Sequence, residues 1–322
     1  MRALRSFGLL ALYIGAQLVA LVLAFPFKGA GLATTSNPNS ATDPLYIIVL
    51  IVLAPIAILW LVRRSNGPAL LRGVILVGIA ASLVITLQAT FALVTPAPFF
   101  LPYAQAGYVG DLSSILAVIV AVLILVALLI EPQWYVVDAT GFLAAGSLIA
   151  LLGISFGILP TFVLLGALAV YDFVAVYVTK HMVSLADVVT DLKLPILMVM
   201  PSGPGYDYTR APTLQQQRAR PTEEREAMFM GLGDVVIPGV LVVSAFVSLP
   251  TSPHFLGLGG NLLAAVGALV GSLLGYALLM RQVAGGNPQA GLPFLNGGAI
   301  AGYAVAYLLV FHSLGLGLTL SF

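Results

Sequence analysis

Residues 228–249 read MFMGLGDVVIPGVLVVSAFVSL, a run apolar almost throughout and long enough to cross a bilayer, with Asp234 set inside it. A charged side chain at membrane depth costs about 2.5–3.5 kcal/mol on insertion scales, and such residues are rare and functional. Read as one helix from residue 228, the segment places Asp234 nearly two turns from its start.

The surrounding chain makes a membrane the expected solvent. Of 322 residues, 60% are hydrophobic and 8% charged, with a mean hydropathy of +1.08. That apolar surface exceeds what a soluble domain buries. A net charge of +1 gives no footprint for nucleic acid, and the absence of cysteine excludes disulfides and thiolate chemistry. The first apolar segment follows Arg2 and Arg5 but exceeds a signal-peptide core of about 7–15 residues, so it reads as a helix.

Nine spans are expected, near 7–27, 45–62, 73–94, 112–130, 139–158, 161–179, 228–249, 261–280 and 293–314. The fifth and sixth are divided only by Leu159-Pro160, read as a tight turn. Basic residues test this count. With nine spans, Arg2, Arg5, Arg63, Arg64, Arg72, Lys180, Lys193, Arg210, Arg218, Arg220, Arg225 and Arg281 share one side, and Lys28 stands alone on the other. A split of 12 to 1 places the N-terminus and the 180–227 loop in the cytoplasm and the C-terminus outside.

That loop divides the chain into a six-helix part, 1–179, and a three-helix part, 228–322. Its stretch SGPGYDYTRAPTLQQQRARPTEEREA is rich in Gly, Pro and mixed charge and is expected to be mobile. KLPILMVMP, just before it, is too short to span and suits an extended strand or an interfacial position. Gly267, Gly271 and Gly275, with Gly298 and Gly302, read as sites of close helix packing. Trp60, Trp134, Tyr135, Tyr103 and Tyr108 read as interfacial anchors.

The remaining acids, Asp138 included, fall in loops or at expected helix ends; only Asp172 and Asp234 are interior. Asp172 precedes Lys180 by eight residues, so both carboxyls lie about 10–12 Å from the cytoplasmic boundary at about 1.5 Å per residue. If their helices face each other, the two can share one proton, because like charges in contact cannot both ionise cheaply. One acid and one base on a bound water is the arrangement of aspartic proteases. Gly231 and Gly233 flank Leu232 before Asp234 and remove bulk where another chain must approach, and Pro238 frees the Asp234 carbonyl from its helical partner.

These residues resemble the presenilin and signal peptide peptidase family of intramembrane aspartyl proteases. Tyr171-Asp172 is similar to its YD motif, and Gly231-Leu232-Gly233-Asp234 to its GxGD motif. Ala290-Gly291-Leu292-Pro293 stands where the family has PALP, matching at Leu292 and Pro293 and departing at the first two positions. The resemblance implies an all-α polytopic fold of nine transmembrane helices, and hydrolysis of peptide bonds inside the transmembrane segments of single-pass proteins. It also implies Asp172 and Asp234 as the catalytic pair, with Gly291, Leu292 and Pro293 shaping the substrate site. Ile196, Leu197 and Met198 lie in a segment resembling one that pairs with extended substrate. The basic split favours presenilin-like orientation over the inverted signal peptide peptidases, hence substrates with an external N-terminus. Lipid and membrane-protein substrates are the expected partners, nucleic acid is not, and homo-oligomers or accessory subunits stay open. No metal or cofactor is called for.

Two rival classes exist. Buried acids and the Gly/Pro-rich stretches VVIPG and LNGGAIAG also suit a proton-coupled transporter with broken helices, although no repeat symmetry is visible. GISFG, residues 153–157, fits G-x-S-x-G, and with His312 would suit a rhomboid-like serine protease; the match comes easily by chance among 33 glycines. His312 itself reads as a packed or interfacial histidine and His181 as a helix-end residue. H-E-x-x-H is absent.

Overall fold

The computed structural model describes residues 2–35, 37–40, 42–62, 66–94, 112–179, 196–203, 205–210, 216, 225–255, 257–283 and 289–318. These residues form α1 (Arg2–Gly29), α2 (Asp43–Val62), α3 (Gly67–Val94), α4 (Leu112–Ile130), α5 (Trp134–Ser155), α6 (Ile158–Phe173), β1 (Leu197–Pro201), β2 (Ala227–Gly231), α7 (Leu232–Ser248), β3 (His254–Phe255), β4 (Leu258–Gly259), α8 (Gly260–Val283) and α9 (Leu292–Phe311). The fold is all-α and polytopic. Among the described residues eight helices are long and apolar enough to cross a membrane; α7, with 17 residues, is shorter.

Burial separates the helices by role. α5 is the central one, 67% buried, whereas α2 is 6% buried and turns Leu45, Val49, Leu53 and Ile56 outward. Small residues explain α5: a helix enclosed on all sides needs room for neighbours on every face. Its Gly146 meets Val19 of α1, and its Gly153 meets Val243 of α7. α7 is buried continuously from Val235 to Ala245, so the helix carrying Asp234 is held by protein rather than lipid. α8 and α9 pack backbone to backbone: Gly271 lies against Gly298 and Gly302, and Gly302 against Gly267, as the glycine spacing anticipates. Trp60 lies near the end of α2 and Trp134 and Tyr135 open α5; Tyr103, Tyr108 and His181 lie outside the described residues.

Three boundaries differ from the sequence-based expectation. The break between α5 and α6 falls at Phe156-Gly157, not Leu159-Pro160. Pro160 sits in the first turn of α6, where its missing N–H would have lacked a helical partner anyway. α5 starts at Trp134, which moves Asp138 from a helix end to a buried place within the first turns. Residues 228–231 are not helix but strand, antiparallel to β1 with Leu197 opposite Gly231 and Pro201 opposite Ala227. Asp234 therefore stands in the first turn of α7 rather than nearly two turns within it. Finally, α7 runs through Pro238 and α9 through Gly297 and Gly298 as single elements, so the helix breaks that a transporter reading needs do not occur there. Most of 180–227, Lys193, Leu194 and Pro195 of KLPILMVMP included, lies outside the described residues; Leu197–Pro201 of that run forms the strand β1.

Candidate active site

Asp172 is the penultimate residue of α6, which continues as a π-helical turn over Val174–Val178. The wider turn shows in the Thr179 amide donating to the Val174 carbonyl at 2.9 Å, five residues back. The Asp172 side chain is 5% exposed, and its Oδ2 accepts the backbone N–H of Leu292 at 3.0 Å. The neighbouring Gly291 amide is turned toward the same carboxyl. Gly291 and Leu292 open α9, where the first backbone N–H groups have no helical acceptor. A carboxylate there satisfies them and meets the positive end of the helix dipole.

Asp234 reaches the same place from α7. Gly231 is extended at φ −64° and ψ 139°, and the helix starts at Leu232, whose N–H donates to the Ile196 carbonyl at 2.9 Å. The Asp234 carboxyl then packs against Gly291. A methyl group on Gly291 would stand 2.9 Å from Oδ1 and 3.0 Å from Cγ and Oδ2, so the Asp234 carboxyl is seated directly on Gly291 and would have to give way to any side chain there. Thus both carboxyls converge on the Gly291–Leu292 peptide, within electrostatic reach of one another.

The other expected site residues fall around this point with different tasks. Gly231 lies against the Asp234 carboxyl, and a methyl there would be 3.4 Å from Oδ2; Gly233 is exposed with nothing within 4 Å of its methyl position. Tyr171 is partly buried beside Asp172. Leu292 is buried and Pro293, in the first turn of α9, is partly so. Leu197 and Met198 lie one strand away on β1, opposite Gly231 and Met230 of β2, and Ile196 beside them holds the first residue of α7 through its carbonyl.

Three contributors went unnoticed in the sequence. Tyr177 donates its hydroxyl to Gln289 Oε1 at 2.6 Å and accepts the Ala290 N–H at 3.3 Å, tying the π-turn to the residues before Gly291. Asn296, buried in α9, donates to the Leu165 carbonyl at 2.8 Å and so fixes α9 against α6, the helix that carries Asp172. Asp138 accepts the Val199 N–H of β1 at 2.7 Å. A carboxylate four residues after Trp134 in an apolar run was the available signal for the last; nothing in the sequence marked the other two.

Ser155 and His312 do not form a nucleophile and base. Ser155 is fully buried, its hydroxyl donates to the Leu151 carbonyl at 2.6 Å and accepts from the Thr34 amide and hydroxyl at 2.8 and 2.9 Å, so its one proton is committed. His312 is an exposed left-handed residue closing α9. Among the described residues no cluster of His, Cys, Asp and Glu could hold a metal.

Comparison with known proteins agrees with this geometry. The family model described as signal-peptide peptidase, presenilin aspartyl protease matches residues 10–312. Two solved structures of a presenilin family intramembrane aspartate protease, in space groups C222 and P2, are similar over nearly their whole length. The first has 29% identity and a TM-score of 0.63, covering 95% of this chain and 99% of the other. The second has 30% identity and a TM-score of 0.61, covering 94% and 97%. No curated protein matches. With two carboxyls meeting at one peptide, and with a family match across nearly all of its spans, the chain belongs to the signal-peptide peptidase and presenilin aspartyl protease family and is an intramembrane aspartyl protease.

Proposed function

We propose that Asp172 and Asp234 are the catalytic pair, and that they hydrolyse peptide bonds within the transmembrane segments of single-pass membrane proteins. The observation that carries this is the convergence of both carboxyls on the Gly291–Leu292 peptide. Two acids this close share one proton. The ionised member takes a proton from water as the water oxygen bonds to the scissile carbonyl carbon, while the protonated member gives its proton to the carbonyl oxygen. The tetrahedral gem-diol then collapses: the acid that took the water proton gives it to the departing nitrogen, the C–N bond breaks, the other carboxylate takes a hydroxyl proton back, and a carboxyl and an amino terminus result with the pair again singly protonated. Because only the singly protonated pair works, kcat follows a bell-shaped pH profile whose limbs belong to the pair.

A substrate helix hides its peptide bonds and must unwind to expose them, and the freed backbone groups need partners in lipid. A β-sheet directly preceding α7 offers such partners by strand addition. β1 is paired with β2 on one side, and Val199 N–H on its other side is taken by Asp138. A substrate strand therefore adds at β2, with Ile196, Leu197 and Met198 shaping the site by supporting it. Gly291, Leu292 and Pro293 line the approach, and exposed Gly233 leaves space for the incoming backbone. The 12 to 1 distribution of basic residues supports a cytoplasmic N-terminus and substrates whose N-terminus is external.

The test is cleavage in liposomes of a single-pass reporter inserted with its N-terminus external, alongside its inverted counterpart. Wild type is expected to cut the first, and folded Asp172→Ala and Asp234→Ala variants to cut neither. Cleavage surviving either substitution would remove the pair; equal cleavage of both reporters would remove the orientation.

A further inference from the structure

Asp138 is buried in α5, 4% exposed, and belongs to no part of the chemistry described above. A carboxylate at that depth is costly without a task. Its Oδ1 accepts the Val199 N–H at 2.7 Å, a contact joining residues 61 apart in sequence. The strand register explains why that N–H is available. In the β1–β2 ladder Val199 faces Phe229, and the bond from Leu232 N–H to the Ile196 carbonyl sets the alternation. Ile196, Met198 and Met200 thus bond across to the β2 side, and Val199 points the opposite way. Asp138 meets it there.

The same end of α5 grips the chain beyond β1. Gln133 Nε2 donates to Asp207 Oδ1 at 3.0 Å, and the Tyr208 N–H donates to Gln133 Oε1 at 3.3 Å. Val137, Val199, Tyr208 and Ala227 close a small apolar core between these contacts. The sheet is consequently seated on α5, the most enclosed of the eight long helices. Its second strand ends at Gly231, and Asp234 follows three residues later in the first turn of α7.

We propose that Asp138 is a positioning residue for the reaction: by fixing β1 on α5 it fixes β2, and through β2 the place of Asp234 against Gly291. This rests on the Asp172–Asp234 pair proposed above. Displacement of a reacting group by about 1 Å can cost about 100-fold in rate. Loss of the anchor should therefore appear in kcat rather than in KM.

The test compares full-length Asp138→Asn, Asp138→Leu and Val199→Pro in liposomes, with reporter cleavage and thermal unfolding measured for each. Asn keeps the acceptor oxygen; Leu removes it. Proline at 199 removes the donor from the side of β1 that faces away from the ladder, where proline is tolerated. The expected result is a fall in kcat of about 10- to 100-fold for Asp138→Leu and Val199→Pro, with KM changed by less than about three-fold and Asp138→Asn within about three-fold of wild type. The proposal is overturned if Asp138→Leu or Val199→Pro keeps the wild-type kcat, if either acts on KM alone, or if Asp138→Asn falls as far as Asp138→Leu. Should Asp138→Leu fail to fold, Val199→Pro decides by itself. Asp172→Asn is run alongside: if it still cleaves, the catalytic pair fails, whereas its inactivity beside a fully active Asp138→Leu sinks the positioning role alone.

Discussion

The Leu292 backbone amide donates to Asp172 Oδ2 at 3.0 Å, across 120 residues of chain. Leu292 opens α9 and Asp172 nearly closes α6, so one hydrogen bond joins a helix N-terminus to a carboxyl at another helix's end. It also puts Asp172 next to Gly291, the residue against which Asp234 packs. The Gly-Leu dipeptide is the common seat of both acids.

Gly291→Val would drive a branched side chain, larger than the alanine of the family's PALP motif, into the Asp234 carboxyl, which a single methyl already meets at about 3 Å. Because α9 is long and well packed, the carboxyl is expected to yield rather than the helix. We expect kcat to fall about 100-fold with a small change in KM, read in the liposome cleavage assay. Wild-type kcat in this variant would show that Asp234 is not confined by Gly291.

Tyr177→Phe removes the hydroxyl that bridges Gln289 and the Ala290 amide while leaving the ring against Phe173. A hydrogen bond of this kind contributes about 1 kcal/mol, so kcat/KM should drop about five-fold. The unfolding midpoint should fall by no more than the few degrees that about 1 kcal/mol is worth.

Gly271→Ala tests the seam between α8 and α9. The added methyl meets the Gly298 carbonyl and stands 2.8 Å from the Gly302 Cα, and backbone on both sides leaves it nowhere to go. Overpacking costs about 1–3 kcal/mol, seen as a lower unfolding midpoint in detergent. Gly297→Ala is the control, because nothing lies within 4 Å of its methyl position. It should unfold no earlier than wild type.

Ser155→Ala separates the aspartyl from the serine reading. The hydroxyl joins α5 to Thr34 and is remote from any base in its hydrogen bonding. Cleavage at the wild-type rate is expected, with a lowered unfolding midpoint as the Thr34 contacts are lost. Loss of cleavage in a folded variant would revive Ser155.

How much of this was legible in the sequence differs from residue to residue. Asp172 and Asp234 stood out because charge inside an apolar run is costly, and their partner Leu292 was reachable through motif order. The glycine seam was legible from its four-residue spacing. The strand β2 was not: AMFMG is as apolar as the helix after it, and it is a strand only because Leu197–Pro201 lies beside it. Asp138 was misplaced for a related reason. Its partner is a backbone amide, which every residue but proline carries, so no side chain in the sequence marks the bond. Pro160 misled because proline ends a helix in mid-course but is at home in a first turn.

The most direct measurement is the cleavage rate of Asp172→Asn, Asp234→Asn and the double variant, each shown to be folded. If the two carboxyls act as one unit on one water, each single substitution lowers kcat by about ten-thousand-fold or more, and the double variant is no slower than either. Either single variant retaining cleavage within about ten-fold of wild type, or the two losses multiplying in the double variant, would contradict a shared pair.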